Sequence, residues 1–531
     1  MRRQVAAFAI LAAFIVCGAA TAVPLRYGVA DDWPKFHPCG DAWWNAAADI
    51  GYRELRLTIQ WDATAPTDIP MQVELQAAVD CAQLNGIRPI LSIYPAKPAA
   101  IGSRVDEQAA FAAFVGLVGQ AFPGVQDFII GNEPNLNRFW QPQFVDGHDA
   151  AATDYEHTLA QSYDALKLVR PDASVWGPAI SSRGNDNPAA LSNPSHSPVW
   201  FIKDLGDAYR ASGRTTPIFD QFDMHPYPPV QDTDPFSAPF QWPQAGAANL
   251  DRVKQALWDA FHRTGQPTVA EGLRVRSGGE TPIPGLPINL DEAGEQTLVP
   301  TPEMPAYDGT AENVIAIPEA EQALNHVELA EIAACDPTVS SLLYFPLIDD
   351  TSRSTGFQSG NLFADFAAKE SYVAMKTKIA SARGLCQGGM PGIPVTWSHS
   401  AHVVGSLGTF GAPGTSPGSQ PARRPASARV WSFSVTAAED ATYRAALSRV
   451  TATGGSPRRV LASSGRLRAY AKPIVKFNPR RLPPGFYQFS ITLTAATNPE
   501  RTTKLRSKPF RVVVAPPAVA KATAPGRIRP D

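Results

Sequence analysis

The chain has 531 residues, 44% hydrophobic and 18% charged, which is enough to bury a large core plus a second domain and too apolar for a disordered polymer. The formal net charge of −2, with no Gly-rich phosphate loop opening a helix and no Gly-x-Ser-x-Gly element, argues against nucleic-acid, nucleotide and serine-hydrolase chemistry. That total conceals an asymmetry. From residue 394 onward 21 Lys+Arg stand against 4 Asp+Glu, and before it 26 stand against 45, so an acidic body carries a basic tail module.

In chain order, Met1-Arg2-Arg3 precedes an apolar run from Val5 to Val16 and then Ala20-Thr21-Ala22, the small-x-small pattern of a signal-peptidase site. Residues 1–22 are expected to be a signal peptide and the mature chain to start near Val23, outside the cell. The run is short for a bilayer, and nothing later offers about eighteen consecutive apolar residues, so no integral membrane segment is expected. Cys17 lacks the small preceding residues of a lipoprotein signal, and the arginine pair is compatible with twin-arginine export. The other cysteines, Cys39, Cys81, Cys335 and Cys386, suit an oxidising exterior and allow three pairings. Cys39 with Cys81 and Cys335 with Cys386 is preferred, because each pair closes a modest loop within one end of the same domain. No CxxC or HxxxH spacing favours a metal at these cysteines, and neither metal nor cofactor is expected.

Strand-like apolar runs then alternate with amphipathic runs eight times, the pattern of a parallel sheet with crossover helices. The strand candidates are 25–30, 54–59, 87–94, 125–130, 174–177, 218–224, 286–290 and 341–345. Apolar residues three and four apart mark helices over 73–84, 108–121, 155–169, 250–261 and 319–333. Asn85-Gly86 and Arg170-Pro171-Asp172 end two of them. Eight units in residues 23–388 fit an α/β fold, a (β/α)8 TIM barrel with long βα loops. The Gly- and Pro-rich stretches 264–286 and 298–317 are long for barrel connections and are expected to shape a groove. Residues 389–429 read as a Gly/Pro/Ser-rich linker. Alternating runs at 430–435, 443–450, 465–472 and 486–493 follow, with Phe489, Ile491 and Leu493 on one face. They predict a small immunoglobulin-like β-sandwich accessory domain over 430–516, and residues 517–531 read as a disordered tail.

One strand end stands out. Phe128-Ile129-Ile130-Gly131-Asn132-Glu133-Pro134-Asn135 places a carboxylate at the carboxyl rim, where active sites of this fold gather. Asn-Glu-Pro after the fourth strand resembles the acid/base motif of the large clan of retaining barrel glycoside hydrolases that includes the cellulases, of the family 5 or family 39 type. The resemblance covers about residues 25 to 383. It implies that Glu133 is the general acid and base, and that Asn132 hydrogen-bonds the sugar 2-hydroxyl. It implies a second carboxylate from the seventh strand, for which Glu292 in Leu290-Asp291-Glu292-Ala293-Gly294 has the right form. Ala293 stands where the clan commonly has an aromatic residue, and Glu271 in Thr268-Val269-Ala270-Glu271-Gly272 is the rival. Asp291 and Gln296-Thr297 match the clan's strand seven and favour Glu292.

Two carboxylates suffice because the transition state is oxocarbenium-like. One must protonate the leaving oxygen and the other must meet the positive carbon. An ionised Glu292 needs a cationic or donor partner, and Arg56, in an apolar strand where an unpaired guanidinium is costly, is the candidate. A structural acid elsewhere is the alternative partner for Arg56. His225-Pro226-Tyr227 resembles the clan's His-x-Tyr element set against nucleophile and sugar, or else packs a loop. Trp33, Trp61, Trp140 and Phe345 at strand ends are candidate stacking platforms or core. Asp349 and Asp350 bind hydroxyls or cap a loop. The implied activity is retaining hydrolysis of O-glycosidic bonds in a polysaccharide or oligosaccharide by a secreted monomer. A transglycosylase and a non-catalytic carbohydrate-binding or cell-wall protein on a degenerate barrel are the alternatives. Carbohydrate is the expected partner. The basic module is either a contact for an anionic cell-surface polymer or a solvated spacer.

Overall fold

The computed structural model describes residues 24–228, 241–269, 285–312, 314–394, 397–408, 431–451, 457–471, 474–477 and 482–512. The expected signal peptide, the expected tail, residues 409–429 of the expected linker and the rival Glu271 lie outside the described residues. The chain divides into two compact units, one ending at Ser398 and the other beginning at His399.

The first unit is built from eight strands, β1 (Arg26–Ala30), β2 (Glu54–Trp61), β3 (Arg88–Pro95), β4 (Asp127–Ile130), β5 (Ser174–Trp176), β6 (Phe222–His225), β7 (Ile288–Ala293) and β8 (Val339–Tyr344). They lie parallel in the order β5-β4-β3-β2-β1-β8-β7-β6, and the two-residue strand Ile180–Ser181 adds to β6 at Met224 and His225. A parallel bridge between Trp176 and Gln221 joins β5 to the residue before β6, so the sheet closes on itself. The helices are α1 (Ala42–Ile50), α2 (Gln72–Leu84), α3 (Val105–Ala121), α4 (Ala151–Val169), α5 (Pro198–Ser212), α6 (Leu250–Phe261), α7 (Glu319–Cys335) and α8 (Glu370–Ala382). This is the (β/α)8 barrel that the alternation predicts.

β4 after Asp127 and most of β3 are apolar runs because both faces are covered, whereas β2 alternates Leu55, Leu57, Ile59 and Trp61 with polar residues. Ile90, Ile129, Trp176 and Leu343 fill the barrel interior as a separate cluster. The larger core lies between the strands and the helices, where α6 contributes Leu250, Val253, Leu257 and Phe261 at helical spacing. Asp41 begins α1 by accepting from the Trp43 amide at 3.0 Å, and left-handed Gly51 ends it. Disulfides Cys39–Cys81 and Cys335–Cys386 form as preferred, tying the segment before α1 to α2 and the end of α7 to the segment after α8. In the chain-entropy account, loops of this length are each worth about 4 kcal/mol. Among the described residues, no helix is long and apolar enough to cross a membrane.

The second unit is all β, with strands β9 (Gly405–Leu407), β10 (Trp431–Ala437), β11 (Ala441–Val450), β12 (Arg458–Leu467), β13 (Ile474–Phe477), β14 (Gly485–Ala495), β15 (Thr502–Arg506) and β16 (Phe510–Val512). One antiparallel sheet runs β9-β10-β13 and the other β12-β11-β14-β15, with β16 also on β14. Residues of both sheets share one core around Phe433, Val435, Leu447, Val475 and Phe489. β14 alternates half-buried with buried, placing Phe489, Ile491 and Leu493 inward as the period of two requires. Two expectations are corrected here. Residues 405–407, assigned to the linker, form a strand against β10. The strand expected over 465–472 is the end of β12, which stops at Leu467. Asp440 accepts from the Ala469 amide at 2.8 Å and Tyr470 takes a left-handed φ of 55°, so the chain turns there.

Candidate active site

At the carboxyl rim of β4 the backbone leaves the sheet sharply. Gly131 adopts φ 103°, and a Cβ there would lie 2.9 Å from the Tyr155 ring, so the position is reserved for glycine. Glu133 itself takes φ 42°, a strained value for a side-chain-bearing residue. It is held there by its amide, which donates to the Ala179 carbonyl at 2.9 Å. The strain aims the Glu133 carboxyl into the mouth of the barrel.

Glu292 arrives from the end of β7, 236 residues along the chain from Arg56. Arg56 Nη1 donates to Glu292 Oε2 at 2.6 Å, while Nη2 donates to Asn132 Oδ1 at 2.6 Å and to Ser92 Oγ at 3.1 Å. Tyr227 Oη donates to the other Glu292 oxygen at 2.7 Å. His225 is fully buried between the two carboxylates, with Nδ1 3.0 Å from Glu133 Oε1 and Nε2 3.6 Å from Glu292 Oε2. A single imidazole therefore spans the gap between Glu133 and Glu292. Such a gap is on the scale of a bond-cleaving carboxylate pair, for which roughly 5 to 9.5 Å is usual.

Charge explains how this cluster stays folded. Burial on its own would raise the Glu292 carboxyl. The charges of His225 and Arg56, with hydrogen bonds from Tyr227 and Arg56, outweigh it and hold Glu292 below the usual carboxylate range. His225 shows the converse. Burial disfavours its cation, yet Glu292 and Asp291 raise its pKa well above the ordinary value. Asp291, fully buried behind Glu292, lies 3.6 Å from Arg56 Nε and 3.5 Å from His225 Nε2. Asp223 accepts from the Ala179 amide at 2.8 Å and is pushed well upward by burial and by Asp291.

A cavity of about 1390 Å³ opens over these groups, lined by Arg56, Asn132, Glu133, Tyr227 and Glu292 together with Trp33 and Phe345. Trp33 is fixed by its amide on Asp31 Oδ1 at 2.8 Å and stacks one face on His37. Val314 and Ile315 of the long 298–317 stretch reach the same cavity, as expected of a groove-shaping loop.

Two platform candidates are corrected. Trp140 is only 2% exposed and packs edge-on against Tyr155, so it belongs to the core. Trp61 is likewise buried, against Phe111. Asp349 and Asp350 sit beside the cavity but serve the loop: Asp349 is buried on Lys369 at 2.8 Å, and Asp350 accepts from the Phe357 amide at 2.8 Å. Sequence reasoning missed Gln60, Tyr94, Arg138, Phe139 and Arg183, which also line the cavity. Gln60 and Tyr94 stand at the ends of β2 and β3, and that position was the available signal. The other three sit on loops that carry no periodic pattern.

Fold and site together define a (β/α)8 barrel whose facing strands bring two carboxylates to its carboxyl rim. No protein-family model matches the chain, and no curated protein matches it. Among solved structures the chain is similar to a family 39 glycoside hydrolase from the gut symbiont Bacteroides cellulosilyticus WH2, at 16% identity over 86% of this chain and 81% of that one, TM-score 0.46. It is similar to a glucosidase from Croceicoccus marinus at 12% identity over 87% and 94%, TM-score 0.45. A GH5_18 from Bifidobacterium longum subsp. infantis is similar at 15% identity over 68% and 79%, TM-score 0.42.

Proposed function

We propose that this chain is a secreted retaining glycoside hydrolase, with Glu292 as nucleophile and Glu133 as general acid and base. The observation that carries the proposal is the convergence of Glu133 and Glu292 on one buried imidazole beneath a cavity large enough for several sugar rings. Arg56 and Tyr227 keep Glu292 ionised and orient both of its oxygens, as attack on an anomeric carbon requires. Glu133 protonates the departing oxygen and the C–O bond breaks as Glu292 bonds to the anomeric carbon. Water, deprotonated by Glu133, then displaces the ester with a second inversion, giving net retention. Asn132, fixed through its Oδ1 by Arg56, turns its amide NH2 toward the cavity as a donor for a sugar hydroxyl. The two disulfides support an oxidising, extracellular setting.

The test is turnover of a panel of aryl glycosides by wild type, Glu133→Gln and Glu292→Gln, with NMR of the first-formed anomer. Each variant is expected to lose at least about 10³-fold in kcat with an unchanged circular dichroism spectrum, and the first anomer to keep the substrate's configuration. Near-normal turnover by either variant would refute the assignment, and an inverted first product would refute retention.

A further inference from the structure

Behind the loop that follows Glu133 lies a second cluster that the reaction does not use. His196 precedes α5, is 2% exposed, and stacks on Phe144 at 4.1 Å. Its Nδ1 lies 3.0 Å from Gln143 Oε1. Gln143 spends its amide NH2 on the carbonyls of Pro134 and Trp140, at 2.9 and 2.8 Å. Gln143 Oε1 is thus an acceptor, and His196 must carry a proton on Nδ1. In the neutral ring Nε2 is then a bare lone pair, buried without a hydrogen-bond donor and turned toward two carboxylates. Asp149 Oδ1 stands 3.2 Å from it, and one ligand atom each from Asp149, His196 and Asp204 lie within 4.8 Å of one another. Acceptor facing acceptors in a buried site is unfavourable unless a cation lies between them.

We propose that Asp149, His196 and Asp204 bind a divalent transition ion of the zinc class. The geometry suits it. Ligand atoms about 2.1 Å from a tetrahedral ion are separated by about 3.4 Å, close to the observed His196–Asp149 distance, and a modest rotation brings Asp204 in. The imidazole is already oriented by a partner on its other nitrogen, the usual support of a metal-binding histidine. Asp149 is fixed as well, accepting from the Ala152 and Thr153 amides at 3.0 and 3.1 Å at the start of α4. Lys203, 3.0 Å from Asp204, also holds Asp207 at 2.7 Å and stays paired when Asp204 turns to the ion. The ion would tie α4 and α5 to the loop after Glu133, since the His196 amide donates to the Asn135 carbonyl at 2.9 Å and Asn135 Nδ2 donates to the His196 carbonyl at 2.9 Å.

The full chain with its disulfides intact is stripped with EDTA, dialysed, and titrated with zinc by calorimetry while Tm is followed. One equivalent is expected to bind, Tm to rise by several degrees, and Gln143→Met to weaken binding by about 10- to 100-fold. Asp204→Asn, at a partly exposed side chain that spares the buried ring, is expected to abolish both effects. Wild-type protein that binds no zinc and keeps its Tm would overturn the proposal, as would zinc binding that survives in both Asp204→Asn and His196→Asn.

Discussion

The two rims of the barrel both bury carboxylates beside arginines, yet they are built for different ends. At the amino rim, Glu54 of β2 receives Arg26 of β1 and Arg88 of β3, and Arg88 also pairs with Asp127 of β4. Trp176 Nε1 donates to Asp127 Oδ1 at 3.1 Å, Arg26 reaches Ser341 Oγ at 3.0 Å, and Asn289, Gln221 and Ser174 continue the belt. These charges stand at neighbouring strand starts and pair across the ladder, so each is spent on its neighbour. At the carboxyl rim, Arg56 and His225 are shared among Glu133, Asp291 and Glu292, and one edge of that network faces open space. Charges paired with their neighbours along the strand starts hold strands in register, whereas a network open toward a cavity is available for chemistry.

Substitution at each rim breaks or sharpens that contrast. The largest expected effect is the difference between Glu292→Gln, which abolishes turnover, and Glu54→Gln. The latter is expected to cost on the order of 1 to 3 kcal/mol of stability by weakening the pairs that buried Glu54 makes with half-exposed Arg26 and Arg88, while the folded fraction keeps its kcat; chemical denaturation and assays below Tm separate the two. Next is Arg56→Lys. A point charge cannot hold Glu292 and Asn132 together, so kcat/KM on an aryl glycoside is expected to fall by about 10²- to 10³-fold.

Tyr227→Phe is expected to be milder, about 10-fold or more in kcat, and it carries a pH signature. Tyr227 helps His225 and Arg56 hold Glu292 below the usual range against burial. Removing that donor raises the Glu292 pKa and moves the acid limb of the kcat/KM profile to higher pH. In the wild type, the stability from ionised Glu292 is complete above the ordinary carboxylate range and is lost as pH falls through the depressed value.

The smallest effect lies away from both rims. Burial on α4 raises Glu156 from 4.5 to about 7, with Arg214 and Ser212 pulling the other way. The folded state keeps a proton there that the unfolded chain releases, so stability declines as pH rises through that window. Glu156→Gln is expected to raise stability at pH 8 by on the order of 1 to 3 kcal/mol, with little change at pH 5. A thermal melt at the two pH values reads it directly.

Much of this was legible in the residues. The eight strands announced themselves because a parallel barrel buries both faces of every strand, leaving apolar runs such as Phe128-Ile129-Ile130 that end abruptly in polar residues. Asn132, Glu133 and Glu292 could be named because a strand end fixes which rim a side chain occupies. The aromatic residues were not separable in the same way. Trp33 and Trp140 both follow strands, and only packing shows that one lines the cavity while Tyr155 covers the other. The Asp149–His196–Asp204 cluster was invisible for a related reason, since its members come from separate loops and helices with no motif spacing.

By itself the sequence determined the barrel and which strand ends carry acids, since periodicity and element order act over short stretches of chain, whereas the choice among three disulfide pairings waited on the structure. The tertiary structure alone decided that His225 lies between Glu133 and Glu292, that Asp291 backs Glu292, and that Arg56 serves the carboxyl rim rather than a structural acid elsewhere. These are matters of convergence in space. Partners as many as 236 residues apart are chosen by how the closed sheet brings its rims together and by the charge balance a buried site must satisfy.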